Sequence, residues 1–364
     1  MTQLIRMASI VVQPTSACNM NCKYCYLSHR NVNRRMAPEL VQRLADDLPL
    51  LAADGPMTVI WHGGEPLACG YDHFTTLLEP LIPLRERGAV EHSMQTNATL
   101  ITPRWCDLFA QHCFRIGVSL DGPVWANGDR VDWAGKPTYA RTMRGMALLA
   151  EHGIPYSVIA VVGRHNLACA SELYSFFADL GCTTLGINIE EQEGANQCGG
   201  VADDAAVRTF WDDLFAAWRA RPVLRVREFD RTLSYLEAVC NDRGPLATPA
   251  VDTDLFPTVA WNGDVVVLSP ELLGEQSLLY GNFVIGNLCK EHLATILERA
   301  QHARYVRDFA RGVGRCRATC SYFGFCGGGQ ASNKVYEHGT ADATETAFCR
   351  TTRQHLLDAV LAAL

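Results

Sequence analysis

The chain has 364 residues, of which 39 are acidic and 32 basic, so its formal charge is −7 and its pI lies near 5.9. Hydrophobic residues make up 48% of the sequence, enough for two or three domains with their own cores, which excludes a disordered or fibrous chain. No apolar run reaches the ~18 residues of a membrane span, and no large basic block is present. We therefore expect a cytoplasmic protein that binds neither membranes nor nucleic acids.

Short apolar or β-branched runs alternate with segments of helical period through the first half of the chain. Strands are predicted at Ser9–Gln13, Thr58–Trp61, His92–Thr96, Arg115–Ser119, Ser157–Val162 and Thr184–Ile189. Helices are predicted between them at Pro38–Ala53, Tyr71–Arg87, Pro103–His112, Thr138–His152 and Ala168–Leu180. This alternation is typical of an α/β protein with a parallel sheet, built either as a partial (β/α)6 TIM-like barrel or as a doubly wound sheet. Both architectures bind ligands at the C-terminal ends of the strands.

The regular alternation stops after Gly194, and we place a domain boundary near residue 235. Residues 1–235 then form the core, and residues 236–364 form a bridging segment and a C-terminal domain. Asn262-Gly263 between two apolar runs predicts a β-hairpin whose two turn positions both have positive φ. Further helices are predicted at Ala205–Ala220, Phe229–Asn241, Lys290–Arg311 and Glu345–Ala363.

Fifteen cysteines are unusually many for a cytoplasmic chain, in which thiols stay reduced. Seven of them lie in two tight groups, one near each end of the chain, and metal binding or catalysis explains such groups better than disulfides do. The other eight have apolar neighbours, and we expect them to fill the core: Cys69, Cys106, Cys113, Cys169, Cys182, Cys198, Cys240 and Cys289.

The first group is Cys18-x3-Cys22-x2-Cys25, which supplies three thiolates within eight residues. Soft thiolates are the ligands that iron–sulfur clusters require. A four-iron cluster takes four ligands, so three cysteines leave one iron free to bind an external chelate. A zinc site or chance packing is the alternative.

The second group is Cys316-x3-Cys320-x5-Cys326-x22-Cys349, which supplies four thiolates. Four ligands would close every coordination site of a second cluster, so substrate would not bind at its iron. We expect such a cluster to relay electrons and to stabilise a loop-rich region. Zinc is the alternative for this group taken alone.

The first group, with Tyr24 before its last cysteine, resembles the signature of the radical S-adenosylmethionine (SAM) superfamily. The resemblance implies a [4Fe-4S] cluster on Cys18, Cys22 and Cys25, whose open iron is chelated by the methionine amine and carboxylate of SAM. An electron from the cluster cleaves the sulfonium C–S bond and gives methionine and a 5′-deoxyadenosyl radical.

The same resemblance implies a set of SAM contacts at the strand ends. Gly63-Gly64-Glu65 resembles the segment that receives the methionine amine, since glycine allows close approach and a carboxylate accepts from an ammonium. Arg130 is implied as the partner of the SAM carboxylate, although the segment before it is shorter than in related maturases. The remaining implied contacts are Gln95, Thr96, Asn97, Ser119, Asp121 and Asn188. Turn or strand capping is the alternative for most of these, and a surface salt bridge is the alternative for Arg130.

The C-terminal region resembles a reduced SPASM domain, the auxiliary-cluster module of peptide-modifying enzymes such as the anaerobic sulfatase maturases. Full SPASM domains carry two auxiliary clusters, but Leu268 and Gln330 stand where the extra cysteines would lie, so one auxiliary [4Fe-4S] cluster is implied. Ser269 stands where the sulfatase maturases have a catalytic carboxylate, which argues against that chemistry.

Several stretches resemble the cyclophane-forming radical SAM/SPASM peptide maturases of the GrrM/OscB type, which are associated with glycine-rich repeat peptides. These stretches are Asn188–Glu191, Glu193–Asn196, Leu268–Gly274, Gly281–Asn287, Tyr322–Gly329, Asn333-Lys334 and Glu345-Thr346. The resemblance implies removal of a hydrogen atom from a Cβ–H of a ribosomally synthesised precursor peptide. The carbon radical then attacks an aromatic ring, which loses a proton and an electron.

Glu271 is the candidate base, because it follows the hairpin where maturases place their catalytic carboxylate, and Glu190 and Glu191 are the next candidates. Structural salt-bridging is the alternative for Glu271. A flavodoxin or ferredoxin-like protein is the implied electron donor. The alternative functions are thioether formation, epimerisation or sulfatase-type maturation of a peptide, and, outside catalysis, an iron–sulfur or zinc binding protein.

Overall fold

The computed structural model describes residues 7–52, 55–196, 202–241 and 255–364. Its strands are β1 Ser9–Val12, β2 Met57–Trp61, β3 Val90–Thr96, β4 Arg115–Ser119, β5 Tyr156–Val162, β6 Thr184–Ile189, β7 Arg225–Val226, β8 Thr258–Val259, β9 Asp264–Val266 and β10 Gly286–Asn287. They form one sheet in the order β10-β9-β8-β1-β2-β3-β4-β5-β6-β7. All six strands predicted for the core are present, and β7, with two residues, is too short to be recognised from its pattern.

The strands β1 to β6 are parallel, and each pairs with the next one along the chain. A doubly wound sheet reverses its strand order at a switch point, and this sheet does not reverse between β1 and β6. The order therefore matches an open β/α barrel. Because these strands are parallel, the segments that follow them emerge at one edge of the sheet.

The helices of the core occupy the connections between the strands. Their bounds are Pro38–Leu51, Tyr71–Leu78, Ile82–Glu86, Pro103–Gln111, Tyr139–Glu151, Ala170–Leu180, Asp204–Ala220 and Arg227–Cys240. The helix predicted over Tyr71–Arg87 is interrupted by the 3₁₀ turn Glu79–Leu81. Pro80 and Pro83 lack the N–H that a continuous helix needs, which explains the interruption.

The C-terminal region is helical after the hairpin. Its helices are Leu293–Ala300, Arg304–Thr319, Phe323–Cys326, Ala331–His338, Ala347–Cys349 and His355–Ala363, with a π-helical turn at Arg350–Gln354. The segment predicted as one helix over Lys290–Arg311 is thus two helices, and the final predicted helix begins later and contains the π turn.

The predicted hairpin is present, because β8 and β9 are antiparallel around Asn262-Gly263. Gly263 has a positive φ of 84°, whereas Asn262 does not, so the expectation of two positive φ values is wrong. Instead the Asn262 Oδ1 accepts from the Asp264 N–H at 3.2 Å and stabilises the turn with its side chain. The strand β8 pairs in parallel with β1, so the hairpin extends the sheet of the core.

The scattered cysteines are only partly in the core. Cys69, Cys106 and Cys182 are buried and Cys169 is half-buried, but Cys113, Cys240 and Cys289 are exposed, and Cys198 lies outside the described residues. The expectation fails for the exposed three because they lie at or beyond the ends of helices and strands, where apolar neighbours in sequence do not enclose them. No helix among the described residues is long and apolar enough to cross a membrane.

Candidate active site

A cavity of about 360 Å³ lies at the C-terminal ends of the parallel strands, and we call it the first cavity. Of the predicted site residues, its wall contains Cys18, Cys22, Cys25, Gly64, Glu65, Gln95, Thr96, Asn97, Ser119, Arg130, Asn188, Glu190, Glu191 and Glu271. Gly63 and Asp121 are outside this lining. A Cβ at Gly63 would approach the Gln13 side chain to 3.1 Å, so Gly63 allows close packing next to the wall.

The three cysteines of the first group share this wall. Burial raises the pKa of Cys18 to about 12 and that of Cys22 to about 11, so both thiols keep their protons until a metal displaces them. The Cys18 N–H donates to the Arg30 carbonyl at 2.8 Å, and Arg30 Nη2 donates to Asn21 Oδ1 at 2.7 Å, which holds the loop in place. A donor set of three soft thiols beside an open cavity fits an iron–sulfur cluster with one free iron.

Glu65 joins the loop after β2 to the end of β3. Its carboxylate is buried and accepts from Thr96 Oγ1 and from the Asn97 N–H, both at 2.7 Å. Burial raises the pKa of Glu65, while these hydrogen bonds act in the opposite direction. Gly64 has φ of 68°, and a Cβ there would overlap the Ala17 carbonyl oxygen, so the cysteine loop packs directly on this glycine.

Arg130 belongs to a buried network, which contradicts the alternative of a surface salt bridge. Its side chain donates from Nη1 to the Tyr24 hydroxyl at 2.6 Å and lies 3.7 Å from Asp121 Oδ1. Asp121 accepts from the Tyr24 hydroxyl at 2.7 Å and from the Val161 N–H at 3.1 Å. The Arg130 Nε is buried and has no hydrogen-bond partner among the described residues, so the guanidinium retains a free donor.

Three carboxylates, Glu191, Glu193 and Glu271, border the same cavity, and we call them the carboxylate cluster. Asn333 Nδ2 donates to Glu191 and also to Glu193 Oε1, the latter at 2.8 Å. The Ser269 hydroxyl donates to Glu271. Glu191 borders the open cavity but is enclosed by protein on its other sides, and burial raises its pKa to about 8. Burial also raises the pKa of Glu193 and of Glu271.

Glu193 is a wall residue that the predictions omitted, although its segment is among those that carry the family resemblance. The Ala195 N–H donates to the Tyr26 carbonyl at 2.8 Å, which brings this segment against the cysteine loop. Glu190 also lines the cavity and accepts from Asn196 Nδ2 at 3.4 Å. The other wall residues missed from the sequence include Tyr26, His62, Gln330 and Phe348.

A second cavity, of about 270 Å³, is lined by all four cysteines of the second group, Cys316, Cys320, Cys326 and Cys349. A hydrogen bond from the Cys349 thiol lowers the pKa of Cys326, and the backbone N–H groups of Gly328 and Gly329 act in the same direction. These donors favour the thiolate that a cluster requires. Among the described residues, no three His, Cys, Asp or Glu side chains converge closely enough to hold a single metal ion.

Glycine permits the sharp turn that directs these N–H groups at Cys326. Gly328 has φ of 105°, and a Cβ there would approach Val313 to 2.9 Å. Two consecutive residues connect the two cavities, because Phe348 lines the first and Cys349 lines the second.

Several known proteins are similar to this chain in sequence. The Radical SAM superfamily profile matches residues 12–177. The uncharacterised protein sll1766 of Synechocystis is 33% identical over 98% of this chain and 91% of its own. The serine-type anaerobic sulfatase-maturating enzyme of Bacteroides thetaiotaomicron is 24% identical over 89% of this chain and 83% of its own.

Two solved structures share the fold. Native anSMEcpe with bound AdoMet has a TM-score of 0.76 at 21% identity and covers 98% of this chain and 97% of its own. Streptococcus suis SuiB bound to the precursor peptide SuiA has a TM-score of 0.69 at 16% identity and covers 94% of this chain and 76% of its own. The superfamily profile includes the first cysteine group, and a 33% identical relative is matched over 91% of its length. The chain therefore belongs to the Radical SAM superfamily and is an enzyme.

Proposed function

We propose that this enzyme forms a Cβ–aryl crosslink, a cyclophane, in a ribosomally synthesised precursor peptide. Such a crosslink takes a hydrogen atom from Cβ, joins that carbon to an aromatic ring, and removes a proton and an electron from the ring. The reaction therefore needs a radical source, a base and an electron acceptor close together. The observation that carries the proposal is the carboxylate cluster at the first cavity. Two of its members, Glu191 and Glu193, accept hydrogen bonds from Asn333, which directly precedes Lys334 beside the second cysteine group.

Membership of the superfamily implies a [4Fe-4S] cluster and SAM as cofactors. We assign the cluster to Cys18, Cys22 and Cys25, and the methionine carboxylate of SAM to Arg130. The other proposed SAM contacts are Gly63, Gly64, Glu65, Gln95, Thr96, Asn97, Ser119, Asp121 and Asn188. Their grouping around one cavity supports this set, with Gly63 and Asp121 acting from behind the wall.

Residues 236–364 are proposed as a bridging segment and reduced SPASM domain, and residues 1–235 as the radical SAM core. In this assignment Cys316, Cys320, Cys326 and Cys349 hold one auxiliary [4Fe-4S] cluster. The second cavity, which all four line, supports the assignment. When bound, the first cluster and SAM supply the radical that takes the hydrogen atom, and the auxiliary cluster supplies the electron acceptor.

Glu271 is the proposed proton acceptor, with Glu191 and Glu190 as the next candidates. A general base works best when its pKa lies near the operating pH, and burial raises the pKa of both Glu271 and Glu191 toward that range. The Ser269 hydroxyl donates to Glu271 and orients its carboxylate. The peptide substrate is supported by the sulfatase-maturating relatives and by SuiB, which was solved with a precursor peptide. A flavodoxin or ferredoxin-like donor in the cytoplasm completes the proposal.

The cluster assignment predicts separable effects of the two cysteine groups. Replacing Cys18, Cys22 and Cys25 by Ala should abolish formation of 5′-deoxyadenosine from SAM and dithionite, yet leave about four irons per chain after anaerobic reconstitution. The parent protein should bind about eight. SAM cleavage by the triple variant would refute the assignment of the first group, and an iron-free triple variant would refute the auxiliary cluster.

The crosslink itself is tested by coexpression with a candidate precursor peptide, one that contains repeated aromatic motifs. We expect the peptide mass to fall by two hydrogens per crosslink, with fragmentation locating a Cβ–aryl bond. Glu271→Gln should lower crosslink yield by about 10²–10⁴-fold while 5′-deoxyadenosine still forms. Glu39→Gln, at an exposed carboxylate outside the cavity, is the control and should leave the crosslink yield unchanged. An unchanged mass would indicate epimerisation, a link to cysteine would indicate a thioether, and loss of two hydrogens within one residue would indicate sulfatase-type maturation.

A further inference from the structure

Lys334 is a buried cation beside the second cysteine group. Its side chain is 0% exposed, and its Nζ has no hydrogen-bond partner among the described residues. The Nζ lies 4.9 Å from the centroid of the Phe309 ring, which supplies a weak cation–π contact. An ammonium without water is costly unless a charge or an acceptor compensates it, so the site is incomplete as it stands.

The cysteines of the second group are the groups near Lys334 that could compensate its charge. A Cβ built on Gly329 would be 3.4 Å from Cys349 Sγ and 3.8 Å from Lys334 Cε, so both side chains approach the same point. Burial lowers the pKa of Lys334, and the groups that act most strongly against this effect are Cys316, Cys349 and Cys326. The Lys334 side chain and the Cys349 thiol therefore both pack against Gly329, and the three thiols are close enough to act on the charge of the lysine.

We propose that Lys334 is the buried counter-charge of the auxiliary cluster, donating Nζ–H to its sulfur ligands and thereby raising its reduction potential. The inference rests on the proposed auxiliary cluster. Four cysteinates give a cubane a net negative charge, and reduction adds one more, so a buried cation favours the reduced form. Hydrogen bonds and charge near the sulfur atoms are recognised determinants of cluster potential. In this proposal Lys334 does not contact the substrate, and it affects the reaction only through the reduction potential of the auxiliary cluster.

The same helix, Ala331–His338, carries the donor to the carboxylate cluster. Asn333 donates to Glu191 and Glu193, and its neighbour Lys334 points toward the cysteines. One helical turn thus holds Glu191, the second candidate proton acceptor, and carries the lysine proposed to tune the electron acceptor. If the reduction potential of the auxiliary cluster were too low, the cluster could not accept the electron that the ring radical must lose.

The test uses the full-length chain with Cys18, Cys22 and Cys25 replaced by Ala, so that only the auxiliary cluster is present. Iron content is measured after anaerobic reconstitution, and the cluster is titrated with dithionite while its reduced form is followed by EPR. Lys334→Met removes the charge, Lys334→Arg keeps it, and Lys290→Met at an exposed lysine is the control.

We expect the ratio of reduced to oxidised cluster at a fixed potential to fall at least about tenfold in Lys334→Met, about 59 mV for one electron. Lys334→Arg should restore most of the ratio, and Lys290→Met should not change it. If Lys334→Met keeps its iron and its ratio of reduced to oxidised cluster is unchanged, the role of Lys334 is overturned while the auxiliary cluster stands. Iron lost from Lys334→Met but kept by Lys334→Arg supports the counter-charge, and iron lost from both overturns it. Absence of iron from the triple-cysteine parent overturns the auxiliary cluster, and the inference with it.

Discussion

Arg130 has two sets of partners to satisfy. Within the protein it contacts Tyr24 and Asp121, and its buried Nε is left without a partner among the described residues. A guanidinium presents several donors in a planar fork, so it can hold Asp121 on one side and a ligand carboxylate on the other. We therefore propose that Asp121 supports SAM binding from behind the cavity wall by orienting Arg130.

Arg130→Ala should weaken SAM binding by about 1.5–3 kcal/mol, the range for a hydrogen bond to a charged group. The affinity is measured by equilibrium binding of SAM to the reconstituted protein. Asp121→Asn is the matched control, because it keeps the guanidinium and changes a residue outside the cavity lining, and we expect a smaller loss. Unchanged affinity in Arg130→Ala would assign the SAM carboxylate to another residue.

The loop after β2 shows how an element positions a side chain. Glu65 N–H donates to the Ala17 carbonyl at 2.8 Å, and its carboxylate holds the end of β3, so one residue joins three segments. Gly64 makes this possible because no side chain separates the loop from the cysteine loop. The glycine is required by close backbone contact as well as by its left-handed φ.

Gly64→Ala should destabilise the protein by at least about 2 kcal/mol, since a left-handed alanine costs about 1–2 kcal/mol and its Cβ would also overlap Ala17. Urea unfolding of the protein measures the change. Gly314→Ala, where the φ is ordinary and a Cβ would meet nothing within 4 Å, is the control and should be neutral or stabilising. Equal stability of Gly64→Ala and its parent would show that the two loops can separate at little cost.

At the scale of the whole molecule, the two cysteine-lined cavities belong to one continuous structure. The hairpin that begins the C-terminal region extends the core sheet through the pairing of β8 with β1. The carboxylate cluster draws its members from both sides of residue 235, since Glu191 and Glu193 precede it and Glu271 follows it. Gathering these carboxylates has an energetic consequence, because the folded state holds protons that the unfolded chain releases.

The pH dependence of stability should report this effect. The pKa of Glu191 is raised from 4.5 to about 8, so its contribution to stability is fully present below pH 4.5 and is lost as pH rises through about 8. One proton gives a slope of at most about 1.4 kcal/mol per pH unit, less here because Glu191 borders the cavity. Glu191→Gln should flatten the fall in unfolding free energy between pH 5 and 8, measured in urea. Glu39→Gln, at an exposed carboxylate, should leave the slope unchanged, and the same slope in both variants would contradict the assignment.

The sequence alone determined the features that depend on near neighbours. Cys18, Cys22 and Cys25 are recognisable because eight residues contain the whole donor set, and the strands β1 to β6 are recognisable from runs of a few residues. The placement of polar segments after the strands also followed from local pattern, because parallel strands end at one edge. The prediction of one helix over Tyr71–Arg87 was wrong, because the apolar spacing continues through the segment in which Pro80 and Pro83 interrupt the helix.

Only the tertiary structure decided how distant residues meet. Glu193 and Asn333 are 140 positions apart and form a hydrogen bond of 2.8 Å, a contact that depends on packing of the C-terminal helices against the core. Lys334 has no sequence signal of burial, because lysine is normally exposed and its surroundings come from other helices. Side-chain direction and burial are properties of the packed chain. The sequence therefore named Glu191 and Glu271 as candidates, but it did not predict their grouping with Glu193 or the burial of Lys334.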